Sequence, residues 1–316
     1  MAALASGPGA LLPAWAQQPA RLYRIGVLRF GVPGDEFQVE LTAALAAIGY
    51  QEGKTVLIDW RWATSADVAQ RHAVELNALG LDLIVVGATP AARAMQAVKP
   101  QVPVVMAGVA DPVGSGLVAT LARPGGNITG VSTNLPAVVP KQLQLLREAV
   151  PGLQRVAFLG STQDKATPLF IEQATAAGAT LGLTVQPVLI GQATEFGAAG
   201  EAMSRQRIHA VAVQPLFTLG NSAPLADVLA LHKLPSISAL RPFAVAGGLM
   251  SFGPSRSDQL KRAASFIDRV LKGVKPADLP VEEPTLYELV INLRTAKAIG
   301  LVVPASLRQR ADEVLQ

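Results

Sequence analysis

Leu83-Ile84-Val85-Val86-Gly87-Ala88-Thr89-Pro90-Ala91-Ala92 contains the repeating unit of the whole chain. Its first five residues are aliphatic and rich in β-branching, which suits a strand covered on both faces. Pro90 then marks the first turn of a helix, where the missing N–H removes no intrahelical bond. A doubly covered strand feeding a helix is the building block of a parallel sheet. Outward from this unit the pattern recurs. Strands are expected at 24–28, 56–60, 83–87 and 102–106, with helices at 36–48, 67–79 and 90–99. Arg123-Pro124-Gly125-Gly126-Asn127 interrupts the rhythm, and alternation restarts with strands at 155–159, 184–189, 209–213 and 235–238. A strand-like run at 248–252 leads into a helix over 255–271. A Pro-rich stretch at 276–284, a strand at 287–291 and two short helices follow. The expectation is an α/β protein of two lobes with parallel sheets.

Length agrees with two lobes, because 316 residues exceed what a single core of roughly 100–200 residues needs. Half of the residues are hydrophobic and 16% are charged. The apolar residues fall in short runs, none near the roughly 20 that span a bilayer, so no membrane insertion of the mature chain is expected. Lys and Arg number 27 against 23 Asp and Glu, without any basic block, so nucleic acid is not expected as a partner. With no cysteine, disulfides, thiolate catalysis and Cys-ligated metal have no donor. At the N-terminus, residues 2–15 are uncharged and small or apolar, and Ala14-Trp15-Ala16 precedes Gln17-Gln18-Pro19. This small-x-small site predicts a signal peptide over 1–16, cleaved near Ala16, and a periplasmic mature protein.

Ligands of open α/β sheets sit beyond the carboxyl ends of the strands, so the candidate residues lie in those loops. In the first lobe these are Phe30, Ala88 with Thr89, and Asp111; in the second, Ser161 with Gln163, Pro215, Ser238 and Arg241. Thr89-Pro90 and Asp111-Pro112 share one grammar, a capping residue followed by Pro at a helix start. Two roles are open for this pair. They cap their helices, or the exposed helix N–H groups at Thr89 receive a ligand carboxylate while Asp111 faces a cationic or donor group. Arg29 and Arg241 are candidates to pair with an acidic ligand group, against the alternative of solvated surface arginines. No G-x-G-x-x-G follows the first strand, and P-loop, H-E-x-x-H and G-x-S-x-G motifs are missing. His72, His209 and His232 lack metal-ligand spacing. No catalytic residue, metal or cofactor is expected.

Several long motifs occur in one order. Gly87-Ala88-Thr89-Pro90-Ala91-Ala92 is followed by Asp111-Pro112-Val113-Gly114-Ser115-Gly116-Leu117-Val118, then by Leu121-Ala122-Arg123-Pro124-Gly125-Gly126-Asn127-Ile128-Thr129-Gly130. Toward the C-terminus come Gly247-Gly248-Leu249-Met250-Ser251-Phe252-Gly253-Pro254 and Leu279-Pro280-Val281-Glu282-Glu283-Pro284. Together they resemble the bacterial ABC-transporter substrate-binding family that includes tryptophan- and tyrosine-binding proteins. The resemblance implies a type I periplasmic-binding architecture, two Rossmann-like lobes joined by three crossing segments. It also implies ABC permease and ATPase partners, a monomer, and a small-molecule ligand, an amino acid or small aromatic carboxylate, enclosed between lobes that close as a hinge. The expected lobes are 21–128 plus 248–275 and 129–247 plus 276–316, linked near 128, 247 and 275. The chain departs from the family pattern at Gly160-Ser161 and Ser238-Ala239. The alternative role is a periplasmic ligand-binding module feeding a membrane sensor, and an α/β enzyme ranks below both.

Overall fold

The computed structural model describes residues 21–316, so the expected signal peptide lies outside the described residues. The first lobe runs β1 (Tyr23–Phe30), α1 (Glu36–Ala47), β2 (Val56–Ala63), α2 (Ala66–Asn77), β3 (Leu83–Gly87), α3 (Thr89–Ala97), β4 (Val104–Val109) and β5 (Ile128–Ser132). Its five strands pair in the order β2-β1-β3-β4-β5, all parallel. Each face of the sheet is covered as the doubly apolar strands require. Phe37, Leu41 and Leu45 of α1 pack on one face, and Ala69, Ala73 and Leu76 of α2 with Met95 of α3 pack on the other.

The second lobe begins with α4 (Val139–Ala149), β6 (Arg155–Ser161), α5 (Thr167–Leu181), β7 (Thr184–Ile190), α6 (Phe196–Arg205) and β8 (Ala210–Val213). It continues with α7 (Ser222–Leu231), β9 (Ser236–Ser238), α8 (Arg241–Val245) and β10 (Met250–Pro254). After α9 (Arg256–Leu271) come β11 (Tyr287–Asn292), α10 (Leu293–Ala298), α11 (Ala305–Gln309) and β12 (Glu313–Leu315). The seven strands pair as β12-β11-β10-β9-β8-β6-β7, parallel except where β10 meets β11.

Three boundaries differ from expectation. Ile128–Ser132 is a fifth strand of the first sheet, beside β4, so the first lobe extends past 128. The run at 250–254, expected in the first lobe, pairs with β9 and β11 in the second sheet. The stretch 276–282, expected in the second lobe, instead lies on the first, with Leu279 and Val281 in its core, and α9 lies there too, where Leu260, Phe266, Ile267 and Val270 join the α1 side of the core. Burying four such side chains is worth roughly 1.5–3 kcal/mol each, and that holds α9 there. The chain therefore crosses three times, at 133–138 between β5 and α4, at Ser255 between β10 and α9, and at 283–286 before β11. The positions near 128, 247 and 275 lie beside these crossings and not in them. Before the last crossing, Glu282 bridges Val131 at the open edge of β5, and Thr129 donates its hydroxyl proton to the Leu279 carbonyl at 2.6 Å.

Candidate functional site

Strand order reverses between β1 and β3 in the first sheet and between β6 and β8 in the second, and at such switch points the loops diverge and leave a crevice. The two crevices face each other across one cavity. Arg29, at the end of β1, enters from the first lobe, with Ala88 and Thr89 beside it. Asp164, Gln214 and Pro215 enter from the second, and Thr133 lies on the first crossing segment. Phe37, Leu135, Phe170, Leu216, Leu219 and Leu260 supply an apolar lining.

Arg29 is only 6% exposed. Its Nε donates to Asp35 Oδ2 at 2.9 Å, its Nη2 lies 2.8 Å from the same oxygen, and its guanidinium carbon sits 4.0 Å from the Phe37 ring centre. Asp35 is fixed in turn as the N-cap of α1, with Oδ1 accepting from the Gln38 amide at 3.0 Å. Burial pulls the Arg29 pKa down to about 10 despite the carboxylate beside it, so it remains a cation at neutral pH. Nη1 has no acceptor among the described residues and lies at the Gly87 end of β3.

Ala88 has φ 77° and ψ 151°, a region that side-chain-bearing residues avoid at a cost of about 1–3 kcal/mol. That conformation turns the chain so that α3 starts at the cavity wall, where the amides of Thr89 and Ala91 lack intrahelical partners. Thr89 is therefore the first helical residue and not the cap, and its hydroxyl accepts from the Ala110 amide at 3.4 Å. Thr133 is buried on the same wall, and its hydroxyl has no hydrogen-bond partner among the described residues.

On the opposite wall Gln214 is 0% exposed and locked. Its Oε1 accepts from the Ser161 amide at 2.7 Å and lies 3.0 Å from the Thr167 hydroxyl, which donates to the Ser161 carbonyl at 2.6 Å. Its Nε2 then donates to Asp164 Oδ2 at 2.9 Å, while Asp164 Oδ1 accepts from the Ala166 amide at 3.0 Å. Burial pushes the Asp164 carboxyl up, and these two hydrogen bonds oppose the shift.

Three of the expected residues, Ala88, Thr89 and Pro215, line the cavity. The others do not. Phe30 follows Arg29 on the strand, so it points to the opposite face and packs into the α2–α3 core. Asp111 leads into a series of turns in place of the expected helix, and its Oδ1 closes one of them by accepting from Gly114 N at 2.8 Å. Ser161 braces the loop by accepting from Gln163 N, and Gln163 donates to the Gly191 carbonyl. Ser238 is buried in the sheet with its hydroxyl on the Val213 carbonyl. Arg241 binds Glu313 through Nε at 2.7 Å and Nη2 at 2.8 Å, and reaches Glu36 of the first lobe at 3.4 Å. It lines an adjoining recess together with Glu36, Glu40, Arg256 and Glu288. Arg256 also pairs with Glu36, at 3.0 Å. The Arg241–Glu36 bridge joins the lobes, but both side chains are more than 40% exposed, so it adds at most about 1 kcal/mol and opens readily.

Two parallel-sheet lobes around a buried, amphiphilic cavity, joined by three crossings, define a solute-binding protein of the type I periplasmic-binding fold. A family model described as ABC transporter substrate binding protein matches residues 35–315. The chain belongs to that family, a family of binding proteins and not of enzymes. A tyrosine-binding protein of Clostridioides difficile (strain R20291) is 25% identical over 264 residues, 82% of this chain and 74% of that relative. The ABC domain in complex with L-Trp from Streptococcus pneumonia is 28% identical, with a TM-score of 0.85 over 93% of this chain and 99% of that one. A conserved domain protein from Vibrio cholerae, 23% identical, shares the fold with a TM-score of 0.86 over 92% of this chain and 99% of that one. Among the described residues no helix is long and apolar enough to cross a membrane.

Proposed function

We propose that the chain is exported to the periplasm and captures a small carboxylate-bearing solute, an amino acid or a small aromatic acid, for delivery to an ABC permease and ATPase. One observation carries this reading. Arg29 is a buried cation with an unspent Nη1, set beside the free amides at the start of α3. A carboxylate placed there would accept charge-assisted hydrogen bonds in a low-dielectric cleft, and the helix dipole favours it. The unpartnered Thr133 hydroxyl adds a polar contact, and the apolar lining suits an aliphatic or aromatic group. The Tyr and L-Trp ligands named for two relatives support the same class.

Walls from two lobes enclose the solute, so entry requires the lobes to part about the three crossings. X-ray scattering of the ligand-free protein is expected to give a larger radius of gyration than the same sample saturated with solute. Equal radii would count against hinge closure. Export has its own check. Mass spectrometry of a periplasmic extract is expected to find a mature N-terminus at Gln17, and an intact Met1 in the cytoplasmic fraction would overturn it.

A further inference from the structure

We propose that Asp164 selects a cationic nitrogen in the captured solute, so that the site takes zwitterions such as α-amino acids and rejects the corresponding acids without an amine. This rests on solute capture in the inter-lobe cavity and adds the requirement at its second-lobe wall.

Asp164 is 7% exposed and lines the cavity opposite Arg29. Its two hydrogen-bond partners, the Ala166 amide and the Gln214 side-chain amide, are neutral donors. No Lys, Arg or His among the described residues lies in ion-pair contact with it. Neither cation that lines the cavity pairs with it: Arg29 contacts Asp35 and keeps Nη1 for the solute's carboxylate, and Arg256 contacts Glu36. Asp164 is therefore left without a cationic partner, on the second lobe. A buried carboxylate without a counter-ion is costly, and two neutral hydrogen bonds offset only part of that cost. When a solute displaces the water of the cavity, a neutral or anionic group facing Asp164 would leave the charge stranded. An ammonium group would complete it.

The orientation of Gln214 shows that the acceptor is held in place. Its Oε1 is spent on Ser161 N, so its NH₂ must face residue 164. The carboxylate is thus preorganised toward the cavity. A solute whose anionic end sits at Arg29 and α3 and whose cationic end sits at Asp164 touches both lobes, so its charges also favour the closed arrangement. The competing role for Asp164 is to brace the start of α5 through the Ala166 amide.

Calorimetric titration of the full-length mature protein with matched triplets tests the assignment. Suitable sets are L-tryptophan, indole-3-propionate and tryptophanamide; L-tyrosine, 3-(4-hydroxyphenyl)propionate and tyrosinamide; and L-leucine, 4-methylpentanoate and leucinamide. At least one amino acid is expected to bind roughly 30-fold or more tighter than its desamino partner, the loss that follows from removing one member of a buried charge pair. Asp164→Asn should shrink that ratio to about threefold or less while leaving the ligand-free melting temperature within a few degrees, and Asp164→Glu should retain a preference for the amine. A brace would behave in the opposite way, with a lower melting temperature and an unchanged ratio. Desamino acids that bind wild type as well as amino acids do, or a ratio unaltered in Asp164→Asn, overturn the assignment and leave carboxylate capture standing. Amides that bind as well as the amino acids, with Asp164 still required, overturn carboxylate capture at Arg29 and leave Asp164 standing. Silence from every amine overturns the assignment, and binding by a sugar panel alone overturns both. Should Asp164→Asn fail to fold, the wild-type ratios and the Asp164→Glu protein decide.

Discussion

Arg29→Gln is expected to weaken capture of a carboxylate-bearing solute by roughly 30- to 4,000-fold, because truncating one partner of a buried charge contact costs about 2–5 kcal/mol. The same change strips Asp35 Oδ2 of its guanidinium, so stability should fall as well. The two effects are separable. Asp35 keeps its capping bond to Gln38 N through Oδ1, and Asn caps a helix about as well as Asp. The double variant Arg29→Gln/Asp35→Asn therefore replaces the ion pair by neutral amides and should recover much of the melting temperature without recovering affinity. Recovery of both would reduce Arg29 to scaffold. Asp111→Asn is the matched control. Its side chain only closes a turn outside the cavity, so affinity should stay within about twofold.

Gly130→Ala is expected to be among the most destabilising single-methyl changes in the chain. Gly130 lies in β5 opposite Met106 of β4, with φ 128°, in a region closed to side-chain-bearing residues. An added Cβ would press on the Met106 carbonyl oxygen and lie 2.6 Å from its amide nitrogen, and backbone atoms within a ladder have nowhere to move. Gly130 also accepts at 3.0 Å from the Glu282 amide just before the last crossing, so displacement of β5 would loosen the seam between first-lobe sheet and hinge. A loss of about 3 kcal/mol or more is expected, a drop of roughly 6–12 °C in thermal melting. Gly182→Ala isolates the backbone part of the cost. Gly182 has φ 68° at the end of α5, and nothing lies within 4 Å of an added Cβ, so the loss there should be about 1 kcal/mol. Equal losses at the two sites would mean that contact with Met106 contributes nothing.

Much of this was legible in the residues. Unbroken apolar strands such as 83–87 can only be buried on both faces, and Pro90 right after one marks a helix start, so two parallel-sheet lobes and the loops of the site follow from local pattern. Three cavity residues, Ala88, Thr89 and Pro215, lie in loops found this way. Local pattern does not report which face a strand-end side chain occupies when the strand is apolar on both. Arg29 and Phe30 are neighbours in sequence, and only the pleat of β1 decides that Arg29 enters the cavity and Phe30 the core. Nor does pattern assign a short strand to a sheet. Met250–Pro254 reads alike in either lobe, and its place is set by pairing with β9 and β11. The helix start expected at Asp111 yielded to a glycine-bearing turn, since the Asp111 side chain satisfies Gly114 N without a helix. Gln214 and Asp164 stand 50 residues apart, each an ordinary polar residue in a loop. Their hydrogen bond, their burial and the missing counter-charge exist only once β6 and β8 lie side by side and the first lobe closes over them, because solvent exclusion and charge balance depend on which distant segments share a space.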